Sequence, residues 1–88
     1  MTPLKNMDFT LQEWQNSNKR LSLIHLLIDE ARKIGYSDEE HEDKISEYSR
    51  TKQALAERDE LWRLYFKGQK DDQAKKEFIS KIKEICNQ

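Results

Sequence analysis

The sequence has 88 residues, and its 16 Lys+Arg against 17 Asp+Glu leave a formal net charge of -1. A chain of this length forms one domain with a small core, so a deep catalytic pocket is not expected. Charged residues make up 38% of the sequence, while Gly 2 and Pro 1 are few, which favours long helices over β-rich folds. We therefore predict a single all-α domain.

The cysteine content and the apolar stretches indicate where the protein resides. Cys86 has no second cysteine with which to form an intramolecular disulfide, which favours a reducing, cytoplasmic location. The longest apolar stretch, Leu21–Ile28, is interrupted by Ser22 and His25, and it is too short to span a bilayer or to form a signal-peptide core. We expect a cytoplasmic protein that does not interact with a membrane and carries no cleaved leader.

The predicted organisation is a flexible N-terminal arm over residues 1–9, followed by a single helical domain over residues 10–88. The arm contains the one proline and shows no periodic apolar pattern, as is typical of a loosely held terminus. Thr10 with Glu13 three residues later has the spacing of a capping box, which marks the beginning of the first helix.

The first helix is predicted over about residues 11–34. Apolar residues recur along it at helical spacing, and Gly35 stands where a left-handed residue often ends a helix. Short polar side chains at Asn16–Asn18 compete with the helix for backbone hydrogen bonds. The sequence leaves open whether the helix is continuous there or restarts with Ser17 or Asn18 as a second N-cap.

The second helix is predicted over about residues 38–67. Ser37 begins a second capping-box pattern, and neither Gly nor Pro interrupts the chain before Gly68. We therefore expect one long continuous rod. Because only three residues separate it from the first helix, the two should pair as a long antiparallel hairpin.

The third helix is predicted to be shorter, over about residues 72–86, with Asp71 or Asp72 as its N-cap. It carries one apolar stripe. The predicted architecture is a three-helix bundle made of the long hairpin and this shorter helix. We expect oligomerisation or a partner protein to complete this bundle.

The first helix has more apolar surface than its predicted neighbours can cover. Its apolar residues occupy a wide arc, whereas the start of the second helix offers only Ile45 and Tyr48 opposite that arc. A short third helix starting at the far end of a straight hairpin would not reach the rest. We therefore predict an anchoring surface for a second copy of the chain or for another protein, formed by Leu23, Leu26, Leu27 and Ile34.

A second candidate interface lies near the end of the second helix, with Trp62 and Tyr65 as its anchors. Six of the eight aromatic residues are expected near this end, namely Phe9, Trp14, Trp62, Tyr65, Phe66 and Phe78. The alternative interpretation is a local aromatic core, because aromatic side chains dominate small cores.

The start of the second helix carries an acidic run, which includes Asp38, Glu39, Glu42 and Asp43. Carboxylates are favourable at a helix N-terminus, so a solvated helix start explains the run. The other interpretation is an acidic docking patch for a basic surface. The sequence leaves both open.

The sequence offers little for catalysis or for cofactor and metal binding. His25, His41 and Cys86 lack the spacing of metal ligands. Gly35 and Gly68 alone cannot form a phosphate-binding loop. We expect no enzymatic activity, no cofactor, no bound metal and no small-molecule substrate.

The function that these patterns favour is that of a small non-enzymatic regulator acting by stoichiometric protein binding, as an adaptor, a dedicated chaperone or an inhibitor. The alternative is a dimeric transcription-related or nucleic-acid-binding protein that uses the lysines around the third helix. Together with the four acidic residues of the same segment (Asp71, Asp72, Glu77 and Glu84), those six lysines leave a local charge of only +2, which disfavours nucleic acid as a partner. They are Lys67, Lys70, Lys75, Lys76, Lys81 and Lys83.

Overall fold

The computed structural model describes residues 10–88, and all regular structure in that part of the chain is α-helical. This confirms the predicted all-α class. The predicted arm over residues 1–9, including Phe9, lies outside the described residues. Five helices follow in chain order: α1 (Leu11–Gln15), α2 (Asn18–Lys33), α3 (Glu39–Tyr48), α4 (Lys52–Lys67) and α5 (Asp72–Cys86).

The predicted first helix is divided into α1 and α2. Thr10 caps α1 with the complete capping box, in which its hydroxyl accepts the Glu13 N–H at 3.1 Å and Glu13 Oε1 accepts the Thr10 N–H at 3.0 Å. Ser17 caps α2, since its Oγ accepts the Arg20 N–H at 3.1 Å. The break that the sequence left open is therefore present, with Ser17 as the second N-cap.

The prediction of one continuous second helix is wrong. The chain leaves the helical path at residues 49–51, so two helices, α3 and α4, form in its place. Thr51 caps α4 by accepting the Ala54 N–H at 3.2 Å. The Ser49 hydroxyl donates back to the Ser46 carbonyl at 2.6 Å. Hydroxyl side chains of this kind offer the backbone an alternative to helical hydrogen bonds, so a helix can end without Gly or Pro.

The start of α3 also differs from the prediction by one residue. Asp38, not Ser37, is the N-cap, and its carboxylate accepts the His41 N–H at 3.3 Å. Its position is favourable because an anionic side chain lies at the positive end of the helix dipole.

The α3–α4 corner is held by side chains from the beginning of the domain. The Trp14 indole N–H donates to the Ser49 carbonyl at 2.7 Å, and Gln15 Nε2 donates to the Arg50 carbonyl at 2.8 Å. Arg20 Nε donates to the Ser49 hydroxyl at 3.0 Å. Since a helix end leaves backbone carbonyls without intrahelical partners, these donors stabilise the corner although they lie 29 to 35 residues away in sequence.

The corner lets α5 pack against α2, α3 and α4 together. Leu23 and Leu27 are 0% exposed and Leu26 is 8% exposed, all within the core of the single chain. The expectation that local packing leaves these three side chains uncovered is therefore wrong. It assumed a straight second helix, whereas the bend brings α5 across the apolar face of α2.

The two glycines serve different turns. Gly35 follows α2 with φ of +99°, a left-handed conformation that an L side chain adopts only with strain. Gly68 follows α4 with an ordinary φ of -65°, but a Cβ there would lie 2.9 Å from the Leu64 carbonyl oxygen and 3.0 Å from the Lys75 Cα. Gly68 thus permits close packing of the α4–α5 connection, which ends at the Asp71 N-cap.

Candidate functional site

Four aromatic rings at the end of α4 and on α5 form a chain of contacts, which we call the aromatic cluster (Trp62, Tyr65, Phe66 and Phe78). The ring centroids of Trp62 and Phe66 are 5.7 Å apart in a stacked arrangement, and those of Tyr65 and Phe66 are 5.3 Å apart. Tyr65 also contacts Phe78 at 5.8 Å. The cluster therefore links the core to the surface through successive ring contacts.

The exposure of the aromatic cluster rises from the core outward. Phe78 is 3% exposed, Trp62 and Tyr65 are half-buried, and Phe66 is 63% exposed. The spacing of three and four residues places the α4 members side by side on the helix surface. Among large apolar residues of the described chain, only Leu21 and Phe66 are classed as exposed. Phe66 is therefore the most exposed of the large apolar side chains in residues 10–88.

A concave site of about 280 Å³ lies beside Tyr65, between the end of α2, the end of α4 and the first turns of α5. We call it the Tyr65 groove. Its apolar wall is formed by Ile34, Leu64, Tyr65, Phe78 and Ile79. Polar side chains, including Glu30, Lys33, Gln69 and Lys75, also line it.

The residues of the two predicted interfaces are redistributed in the structure. Ile34 and Tyr65 both line the Tyr65 groove, although they were assigned to different surfaces. Trp62 adjoins the groove through its ring contact with Tyr65, at a centroid distance of 6.2 Å. Leu23, Leu26 and Leu27 are core residues and present no anchoring surface.

The predicted group of six aromatic residues is only partly brought together. Four of them form the aromatic cluster. Trp14 is instead fully buried, with its indole hydrogen bond to the α3–α4 corner, and Phe9 is outside the described residues. Phe66 was not among the predicted anchor residues. Its exposure was indicated only by the run 61–66, in which five apolar residues occupy more than one helical face and so cannot all be buried on one side.

Some of the charged side chains around the Tyr65 groove form ion pairs, and others do not. Lys33 Nζ donates to Glu30 at 2.9 Å, and this hydrogen bond raises the pKa of the lysine, which therefore stays charged. Lys67 lies 3.9 Å from Asp71. Within residues 10–88, neither Lys70 nor Lys75 has an ion-pair partner, and both are exposed. The surface beside the aromatic cluster therefore carries two exposed lysines without ion-pair partners.

The four residues of the predicted acidic patch have different surroundings. Asp38 caps α3 and also lies 2.5 Å from His41 Nδ1. Glu42 forms an ion pair with Arg32 at 2.9 Å. Glu39 and Asp43 are exposed. Two of the four carboxylates therefore take part in local structure at the α2–α3 connection.

A polar cluster that the sequence did not reveal joins α3, α4 and α5. The Glu57 carboxylate accepts hydrogen bonds from the Tyr48 hydroxyl at 2.6 Å, Lys81 Nζ at 3.0 Å and Gln53 Nε2 at 3.2 Å. Burial opposes ionisation of Glu57, but the three donors outweigh it, and its pKa is lowered. Burial raises the pKa of Tyr48. With three donors already bound, this carboxylate is suited to holding helices together.

Other chemical groups of the described chain add no site. In residues 10–88, no group of three or more His, Cys, Asp or Glu could hold a metal ion. Cys86 is buried, and burial raises the pKa of its thiol, which disfavours the reactive thiolate. None of the helices described has the length and apolar character needed to cross a membrane.

Comparison with known proteins identifies no relative. A scan against protein-family models finds no match, and searches of curated protein sequences and of solved structures likewise return none.

Proposed function

We propose that this protein is a small non-enzymatic regulator that binds another protein stoichiometrically, as an adaptor, a dedicated chaperone or an inhibitor. The observation that carries the proposal is the 63% exposure of Phe66 at the surface end of a contiguous aromatic cluster beside a concave groove. Exposed aromatic side chains next to a pocket are typical of the anchor residues in protein interfaces. We further propose a cytoplasmic location, which a lone buried cysteine fits.

The binding surface differs from the one expected from the apolar excess of the first helix. Leu23 and Leu27 are fully buried, so covering them requires no partner. The surface proposed instead comprises Phe66, Trp62 and Tyr65, with Ile34 at the adjoining wall of the Tyr65 groove. A partner that covers Phe66 and fills the groove would remove aromatic surface from water, which favours association.

The lysines around the third helix give weaker support to nucleic-acid binding. Lys81 is ion-paired with Glu57 at 3.0 Å and is held against α4. Lys67 is close to Asp71. Because two of the six lysines are held in ion pairs, we propose protein, and not nucleic acid, as the partner.

The test compares Phe66→Ser with Leu21→Ser, since these are the two exposed large apolar side chains of the described residues. Each variant and the wild type is used as bait in quantitative affinity capture. We expect a protein that wild type and Leu21→Ser retain in equal amounts and that Phe66→Ser loses. Binding of that protein, once purified, should reach a 1:1 ratio by light scattering coupled to size exclusion.

Two further measurements test whether the variants stay folded and whether the protein binds a second copy of itself. Urea unfolding should show that Phe66→Ser changes the free energy of unfolding by no more than about 1 kcal/mol, because the side chain is mostly in water. Light scattering of wild type alone shows whether a second copy is the partner. Equal capture by all three baits, with no captured protein depending on Phe66, would refute the proposed surface.

A further inference from the structure

The dimensions of the Tyr65 groove suit a side chain from a partner protein. Its volume of about 280 Å³ lies at the lower limit of the roughly 300–1,000 Å³ that small-molecule sites occupy. Aromatic and aliphatic side chains form one wall, and the exposed ring of Phe66 lies beside Tyr65. A single bulky apolar side chain can therefore enter the groove while its neighbours cover Phe66.

The charged residues around the groove indicate which residues of the partner should lie next to that side chain. Glu30 is already paired with Lys33 at 2.9 Å, so it leaves no free negative charge at the rim. Lys75 lines the groove, and Lys70 is exposed in the connection that leads to α5. Since neither lysine has an ion-pair partner within residues 10–88, carboxylates on the bound segment would complement them.

We propose that the Tyr65 groove binds an acidic amphipathic segment of a partner protein, with a bulky apolar side chain in the groove and carboxylates facing Lys70 and Lys75. This inference rests on the proposed function and adds the chemistry of the partner. An amphipathic helix in a groove presents its anchors three or four residues apart, a spacing that can bring one side chain into the groove and a second onto Phe66.

A second copy of the chain fits this site less well. Its acidic helix is α3, but the bulky apolar residues of that helix, Ile45 and Tyr48, are 0% and 5% exposed. The copy would offer carboxylates such as Glu39 and Asp43 without an adjoining apolar anchor. The observations therefore favour a segment from a different protein.

A nucleic acid also fits less well. Trp62 and Phe66 stack on each other with an interplanar angle of 25°, so each ring already uses one face that a base would need. Lys67 and Lys81 lie in ion pairs with Asp71 and Glu57, which leaves less positive charge available for phosphate binding.

The experiment selects ligands from a displayed library of random peptides of about 16 residues, long enough for four helical turns. The full-length wild-type protein is the bait, and Phe66→Ser is used for counter-selection. For each recovered peptide, the net charge and the positions of aromatic and large aliphatic residues are read from its sequence. We expect recovered peptides that are net negative and carry apolar residues at spacings of three or four.

Matched charge variants then locate the binding. A recovered peptide is labelled with fluorescein and titrated by anisotropy against Lys75→Glu and against Lys83→Glu, which makes the same charge change at an exposed position near the other end of α5. We expect Lys75→Glu to weaken binding roughly tenfold and Lys83→Glu to weaken it by less than about twofold. Affinity should also fall as salt is raised.

The outcomes separate this inference from the proposed function. Phe66-dependent peptides that are neutral or basic, or equal effects of the two lysine variants, would overturn the acidic-segment inference and leave the protein-binding surface standing. Recovery of no Phe66-dependent peptide would overturn both. Tighter binding of a fluorescein-labelled single-stranded oligonucleotide than of every peptide would overturn both in favour of nucleic acid.

Discussion

Replacing Trp14 by Phe should destabilise the domain by uncoupling α1 from the α3–α4 corner. The Trp14 side chain is 0% exposed, and its indole N–H donates to the Ser49 carbonyl at 2.7 Å. Phe keeps an aromatic ring in place but has no donor. The substitution therefore removes one specific hydrogen bond between elements that are 35 residues apart in sequence.

The expected decrease in the free energy of unfolding has two contributions. Ser49 is 0% exposed, so leaving its carbonyl without a donor costs about 1–3 kcal/mol. The smaller ring leaves a cavity that costs about 1 kcal/mol more. The total of roughly 2–4 kcal/mol is a large fraction of the free energy of unfolding expected for a domain of this size, which is about 5–10 kcal/mol.

The assay is urea unfolding followed by far-ultraviolet circular dichroism, with Trp62→Phe as the matched control. Trp62 is half-buried, and no hydrogen bond of its indole occurs within the described residues. We expect the control to lose less than about 1 kcal/mol. If both variants unfold at the same urea concentration, the α1 contact does not hold the corner and the reasoning fails.

Two further predictions concern the polar cluster and the α2–α3 turn. The folded pKa of Glu57 is below its ordinary value of 4.5, so its stabilisation is present above that value and is lost as pH falls through the folded pKa. Urea unfolding between about pH 6 and pH 3 should show this loss in wild type and a shallower one in Glu57→Gln, and equal slopes would contradict it. Gly35→Ala should cost about 1–2 kcal/mol of unfolding free energy because of the positive φ, and Gly35→Asn less. A gain in thermal midpoint for Gly35→Ala would show that the turn is not left-handed in solution.

Helix ends were the most predictable part of the fold because their determinants are local. Thr10 and Glu13 form the predicted capping box, Gly35 follows α2 in a left-handed conformation, and Asp71 caps α5. Each of these features depends on hydrogen bonds or steric limits within about four residues. A single sequence contains that information directly.

The break between α3 and α4 shows where local information ends. Ser49 and Thr51 are visible in the sequence as residues that compete with helical hydrogen bonds, but hydroxyl residues alone also occur inside helices. In this chain the bend is stabilised by donors from Trp14, Gln15 and Arg20. Whether such distant donors reach the freed carbonyls depends on the packing of the whole domain.

The candidate site was predictable only in pieces. Trp62, Tyr65 and Ile34 were singled out by their apolar character, but Ile34 and Tyr65 belong to helices whose mutual position no local pattern specifies. Their joint lining of one groove follows from the packing of α2, α4 and α5. Phe66 is exposed while nearby Leu64 is 4% exposed, a difference that helical periodicity alone did not resolve.

Composition and short-range patterns thus suffice for an all-helical domain and for most of its helix termini, because backbone hydrogen bonding and capping act over a few residues. The location of the apolar surface that remains exposed is a property of the tertiary structure. Burial depends on which helices meet, and one bend at residues 49–51 moves Leu23, Leu26 and Leu27 from an expected interface into the core. In the same structure Phe66 stays exposed beside the Tyr65 groove, which we propose as the surface that a partner covers.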